Sequence, residues 1–187
     1  DCFPALTRQD FDQLMGLSLE AGYELFCKTM RPEMHLQEYV AEVESFIPTI
    51  YERAPISEGL QDLVLRLSEK KVPLGLATAS RLAWVKPVLE REGLIQFFPN
   101  ITTVDEVKHA KPAPDIYLLA AKKLQMDPDM CVAIEDSLHG VRSAKAAGLL
   151  TIGYKPDERS HSNLTEAHTT ISHFSEIQPE SLGLFLH

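Results

Sequence analysis

Apolar positions recur along this chain at two different periods, and the change falls near residue 54. Before it the spacing is helical. Thr7 precedes a short pattern of Phe11, Leu14 and Met15 and is placed to cap it, with Asp10 near the positive end of the helix dipole. Gly16-Leu17-Ser18 breaks that run. From Ser18 a second run sets Leu19, Tyr23, Phe26 and Met30 on one face. Pro32 interrupts, and a third run carries Leu36, Val40, Val43, Phe46 and Ile47, which Pro48 is expected to bend or end. Aromatic residues at this spacing predict packing against a neighbouring helix rather than a ligand platform.

After Ala54 the pattern alternates between short β-branched runs and helical ones. Ser57-Glu58 opens a helix through Leu60, Leu63, Val64 and Leu67 that ends at Glu69-Lys70-Lys71. A strand over 73–77, a helix over 84–92 stopped by Gly93 and a strand over 100–104 follow. A helix after Pro114 runs through Ile116, Leu118, Leu119 and Ala120. Then come a strand over 131–134, a helix through Val141, Ala144 and Ala147 that stops at Gly148, and a strand over 149–154. A polar loop over 155–165 leads to a last strand at Thr169-Thr170-Ile171, and a short helix from Ser175 closes the chain. Strands separated by helices predict an α/β fold with a parallel, doubly wound sheet. The helical N-terminal piece stands outside that alternation and reads as a cap. The expected domains are therefore 1–53, a helical cap, and 54–187, a Rossmann-like core.

Composition narrows the function classes. The 187 residues carry a net charge of −9, from 18 basic and 27 acidic side chains, with no basic run. Nucleic acid and anionic membranes are not the expected partners. Cys2, Cys27 and Cys131 are widely spaced and form no CxxC pair, so they predict reduced thiols and a cytoplasmic setting, with Cys131 in the core. No apolar run is long enough to span a bilayer, and no secretory signal is visible. The sequence starts directly on DCFPALT without a methionine, so its beginning is expected to be missing or processed.

Polar chemistry gathers at three predicted strand ends, where ligands of open parallel sheets sit. Thr78-Ala79-Ser80-Arg81 ends the first, offering a hydroxyl and helix-entrance amides to an anion, or a plain Ser80 helix cap. The loop after the second strand holds Lys111, followed by two prolines that restrict the backbone, and Asp115 is placed to cap the next helix. Glu135 and Asp136 end the third. Two adjacent carboxylates repel unless a cation lies between them, and magnesium suits oxygen ligands of this kind; capping by Asp136 or Ser137 is the alternative. A hydroxyl, a fixed ammonium and a metal-binding acid pair suit phosphoryl transfer. His109 and His139 sit on loops near the expected mouth and read as solvated, and Trp84 reads as packed on the sheet.

LATAS at 76–80, AKPAPDIY at 110–117 and AIEDSLHGVRSAKAAGL at 133–149 resemble, in order and spacing, three of the four motifs of the haloacid dehalogenase superfamily. The branch they resemble is that of the β-phosphoglucomutases and sugar phosphatases, which carry a helical cap after the first strand. The resemblance implies that Thr78 hydrogen-bonds the transferring phosphoryl group and that Lys111 balances its charge. It implies Asp136 as a magnesium ligand with Glu135 as a direct or water-mediated partner, and Ala79, Ser80 and Arg81 beside the bound phosphate. The expected substrate is a small phosphorylated metabolite such as a sugar or polyol phosphate, and the expected intermediate is an aspartyl phosphate.

Two departures shape the expectation. The first motif, an apolar strand ending in DxDG, is absent: Phe3 stands where the second acid belongs and no strand precedes Asp1. Its nucleophile is expected upstream, on a central strand whose absence leaves neighbouring backbone groups unpaired and a core slot open. Leu19 stands where the mutases carry an arginine for the second phosphate, which favours a phosphatase over a phosphosugar mutase. An inactive fragment or regulatory domain of the same fold is the remaining alternative.

Overall fold

A computed structural model describes residues 17, 19–30, 34–156 and 163–182. The helix expected around Phe11, the Ser18 start, the Pro32 break and most of the 155–165 loop lie outside them. Two helices open the described chain, α1 (Leu19–Met30) and α2 (Leu36–Arg53). They meet through aromatic rings: Tyr23 and Phe26 lie against Tyr39 with centroids 5.4 and 5.7 Å apart, and Phe26 is buried. The Tyr23 hydroxyl donates to the Met34 carbonyl at 2.7 Å, tying the connection down. Pro48 does not end α2, which runs on to Arg53.

The rest alternates: α3 (Leu60–Glu69), β1 (Gly75–Thr78), α4 (Leu82–Arg91), β2 (Asn100–Thr103), α5 (Asp115–Leu124), β3 (Val132–Glu135), α6 (Leu138–Ala146), β4 (Leu150–Tyr154), β5 (Thr169–Ile171) and α7 (Pro179–Leu182). Gly93 and Gly148 end α4 and α6 at φ +65° and +88°. There they let the next amide bond back into the last turn, Leu94 to Leu89 and Leu149 to Ala144. Arg91 joins the two parts of the chain. Its guanidinium donates to the carbonyls of Tyr51, Glu52 and Ala54 at 2.6–2.8 Å, taking up acceptors that the end of α2 leaves open.

All strand pairs are parallel, so each connection must cross over. β1 pairs β2 with Leu76 opposite Ile101 and Thr78 opposite Thr103. β3, β4 and β5 form a second ladder, with Glu135 opposite Gly153 and Ile152 opposite Thr169. Among the described residues no ladder joins β1 to β3.

Helices cover both faces, and the strand alternation says which residue faces which layer. On one face Leu76 packs with Val64, Leu89 and Leu94, while Ile152, Tyr154 and Ile171 pack with Leu63 and Leu67 of α3. On the other, Ala77 and Ala133 pack with Ile116 and Tyr117 of α5 and Ala144 of α6. Each fully buried aliphatic side chain in these layers contributes roughly 1.5–3 kcal/mol. This α/β/α sandwich is the expected fold class, and it brings the carboxyl ends of β1 and β3 to one side.

Candidate functional site

Lys111 holds the two strand ends together. It follows β2 in a loop whose Lys111–Pro112 peptide is cis, and the side chain is only 6% exposed. Its Nζ forms an ion pair with Glu135 Oε1 at the end of β3. It also donates over longer distances to the Ala77 carbonyl of β1, 3.4 Å, and to the Tyr117 oxygen, 3.5 Å. Glu135, equally 6% exposed, is saturated: Oε1 takes Lys111 and the Tyr117 hydroxyl, and Oε2 takes the Ser137 hydroxyl at 3.1 Å. Burial, with the Glu135 charge behind it, pushes the Tyr117 phenol well above its ordinary range, so Tyr117 stays a donor.

Gly140 makes this packing possible. A Cβ built on it would clash with all three atoms of the Glu135 carboxyl group, so α6 passes the carboxylate only because that position has no side chain. The Ser137 hydroxyl caps α6, accepting from the Gly140 amide at 3.0 Å. The capping alternative thus falls to Ser137 and leaves Asp136 free of it.

Asp136 differs from its neighbour in every respect. It keeps solvent contact, and its carboxyl is pushed above the ordinary aspartate value by partial burial first and by the Glu135 charge second, against a lowering pull from Lys111. Summed over this cluster, Lys111 cancels Glu135 and leaves the Asp136 carboxylate uncompensated. A hard cation fits that position as one oxygen ligand among waters and substrate oxygens. Glu135, with both oxygens bonded inward, is turned away from that role. Among the described residues no three His, Cys, Asp or Glu side chains converge as a complete metal site.

At the end of β1 the Thr78 hydroxyl oxygen accepts from the Ser80 amide at 3.0 Å, which leaves the hydroxyl proton for another acceptor. Ser80 does not cap α4; its hydroxyl pairs with the Tyr51 hydroxyl of α2 at 2.6 Å. Arg81 lies in an ion pair with Glu44 of α2 at 2.5 Å and near Asp105 at 3.8 Å, with its guanidinium 5.5 Å over the Trp84 ring. Next to these residues opens a cavity of about 110 Å³, lined by Leu19 and Glu20 of α1, by Ala79, Arg81 and Trp84, and by Val104 and Asp105. Trp84 therefore faces a cavity rather than lying wholly on the sheet.

Several expectations are redrawn. Asp115 is the first residue of α5 and makes no cap bond; it pairs with His109 Nδ1 at 2.9 Å, which lowers its carboxyl below the ordinary value. His139 Nδ1 is buried without a hydrogen-bond partner among the described residues. Cys131 is partly buried against the Ile116 cluster. Tyr117 and Gly140 lie inside the motif stretches without an expected role, because neither carries a period of its own, whereas Ser137 caps α6 as one of the two expected alternatives. Glu20, Glu44, Tyr51 and Asp105 lie far apart in sequence and had no signal.

The three motif stretches thus converge, and the comparisons agree with the geometry. The chain belongs to the haloacid dehalogenase-like hydrolases, whose family model matches residues 2–154. It is 27% identical to hexitol phosphatase B of Escherichia coli (strain K12) over 94% of this chain and 80% of that protein. It is 33% identical to the bifunctional riboflavin kinase/FMN phosphatase of Arabidopsis thaliana over 87% of this chain, spanning 41% of the length of that relative. A crystal structure of β-phosphoglucomutase from Clostridium difficile superposes with a TM-score of 0.83 at 21% identity, covering 97% of this chain and 82% of that one, and so shares the fold. Phosphatases thus stand among the relatives of this hydrolase. No helix among the described residues is long and apolar enough to cross a membrane.

Proposed function

We propose that the protein is a magnesium-dependent phosphatase of small phosphorylated metabolites, with residues 1–53 acting as a cap over a core of 54–187. The observation that carries the reading is the placement of Lys111. Its buried ammonium touches the β1 end at Ala77 and the β3 end at Glu135, and the next residues on those strands are Thr78 and Asp136. In this reading the Thr78 hydroxyl proton goes to a phosphoryl oxygen. Lys111 keeps Glu135 and turns its loosely held N–H groups, now at 3.4 and 3.5 Å, to the same phosphoryl group. Asp136 is the ligand proposed for magnesium, which when bound neutralises charge on the transferring phosphoryl group. Glu135 acts through Lys111, as its anchor. The attacking carboxylate of the aspartyl-phosphate route comes from outside the described residues.

The phosphatases among the relatives support hydrolysis, and Leu19 at the cavity wall supports it over isomerisation, since a leucine offers no donor to a second phosphate. The test is phosphate release by the protein as encoded, from a panel of sugar and polyol phosphates with magnesium and with EDTA. Release that requires magnesium and falls about a hundredfold or more in Thr78→Val is expected. No release from any panel member overturns the reading, and product analysis on β-glucose 1-phosphate that finds glucose 6-phosphate in place of free phosphate makes it a mutase.

A further inference from the structure

Tyr117 stands between the buried carboxylate of Glu135 and the ammonium of Lys111, and its hydroxyl has a use that rests on the phosphatase reading. We propose that Tyr117 is a positioning residue: its hydroxyl satisfies Glu135, so that Lys111 gives one N–H to that carboxylate and keeps two for the phosphoryl group.

A carboxylate accepts about four hydrogen bonds, two at each oxygen. Glu135 finds four donors among the described residues. Lys111 Nζ and the Tyr117 hydroxyl meet Oε1, while the Ser137 hydroxyl at 3.1 Å and the Ser137 amide at 3.4 Å meet Oε2. Lys111 carries three N–H groups, and Glu135 takes one of them. The other two reach only the Ala77 carbonyl at 3.4 Å and the Tyr117 oxygen at 3.5 Å, bonds long enough to be exchanged for a better acceptor. Without the Tyr117 hydroxyl, Oε1 is left short of a donor in a side chain that is 6% exposed, a costly state for a buried charge. The adjacent group with N–H to give is Lys111, already the ion-pair partner of that oxygen. A second N–H turned to Glu135 draws the ammonium inward and takes a donor from the phosphoryl group.

The ring holds the hydroxyl in place. Tyr117 is 6% exposed and packs in the cluster of Ile116, Ala133 and Ala144, which leaves it no room to swing aside. Lys111 Nζ lies 5.1 Å from the ring centroid, within cation–π range, and a phenylalanine keeps that contact. Tyr117→Phe therefore removes the donor alone.

The test compares Tyr117→Phe with wild type and with Ile171→Val, which trims a separate buried cluster around Tyr154 and Phe174. The protein as encoded is titrated with inorganic phosphate by calorimetry, in EDTA and in magnesium. KM and kcat are then measured on the panel member hydrolysed fastest. One hydrogen bond to a charged group lost from the bound phosphate weakens binding by about tenfold, so Kd and KM should both rise by about that factor in Tyr117→Phe. Ile171→Val should leave both at the wild-type value. A purely structural hydroxyl gives a different split, since fewer active molecules lower kcat and leave KM and Kd alone. That result overturns the assignment, and so does a Tyr117→Phe protein without native circular dichroism. Phosphate binding that Tyr117→Phe weakens, with no release from any panel member, keeps the positioning role and defeats the phosphatase. Release with unchanged KM and Kd in Tyr117→Phe keeps the phosphatase and defeats the positioning role. Wild type that neither binds nor releases phosphate defeats both.

Discussion

Lys111→Met removes one partner of a buried ion pair and leaves the other behind. Glu135 stays 6% exposed, with the Tyr117 and Ser137 hydroxyls and, at 3.4 Å, the Ser137 amide as its remaining donors. Breaking a buried pair in this way costs roughly 3–5 kcal/mol. Two hydroxyls still solvate the carboxylate, so the expected loss lies at the low end, about 3 kcal/mol. Glu135→Gln should cost a similar amount, about 3 kcal/mol or more, because it removes the counter-charge of the buried ammonium and leaves it a neutral amide oxygen beside acceptors at 3.4 and 3.5 Å. In the double variant neither charge is stranded. The two losses should therefore fall short of additivity by about 2 kcal/mol, the coupling expected of residues in direct contact. Urea unfolding of the four proteins at neutral pH in EDTA, fitted with a common slope, measures all three quantities. For a chain of this size the Lys111→Met midpoint in a thermal scan should drop by roughly 6–12 °C. Single losses below about 1 kcal/mol, the level of exposed pairs, would refute the reasoning, as would losses that add to within about 0.5 kcal/mol.

Asp136→Asn should stabilise the metal-free protein. The raised carboxyl means that the fold binds this proton more tightly than the unfolded chain does, so ionised Asp136 opposes folding above its folded value, and that penalty disappears as pH falls through the carboxylate range. The advantage of the variant over wild type is therefore present at pH 7 and shrinks on acidification; millimolar magnesium should raise the midpoint of wild type alone. Wild type the more stable of the two in EDTA at pH 7 would contradict this. Gly140→Ala should cost about 3 kcal/mol or more in urea unfolding, since its Cβ clashes with the buried Glu135 carboxyl, and a loss near zero would show that the carboxyl moves aside freely. Lys71→Gly should gain about 0.5–1 kcal/mol, because Lys71 ends α3 at φ +58° in the position glycine favours, and any loss of stability would count against it.

Much of the fold is legible in local pattern. The strand expected over 73–77 lies at Gly75–Thr78, and that over 131–134 at Val132–Glu135, each displaced by one or two residues toward its polar end. The displacement has a common cause: at a strand end, backbone pairing to the neighbour continues past the last apolar side chain, as Thr78 with Thr103 and Glu135 with Gly153 show. Pro48 misleads in the other direction. A single proline removes one amide donor, while the end of α2 is held by three bonds from Arg91, a residue 37 positions or more further along that no local window includes. Asp115 and Ser80 both carry capping chemistry, yet each finds a partner outside its own helix, His109 and Tyr51.

The sequence alone determined the alternation of strands and helices, the helical piece before it, and the order in which Thr78, Lys111 and the Glu135-Asp136 pair reach strand ends. Those are consequences of period and turn chemistry, which neighbouring residues carry. Only the tertiary structure decided how the two acids divide their roles. Side chains on a strand point alternately to opposite faces, so Glu135 shares the buried side of Ala133 and the residue after it does not. That rule separates the pair without saying which side is closed. The closing is done by Lys111 from the loop after β2, by Tyr117 of α5 and by the bare Gly140 of α6. They bind Glu135 inward and leave Asp136 as the carboxylate without a counter-charge.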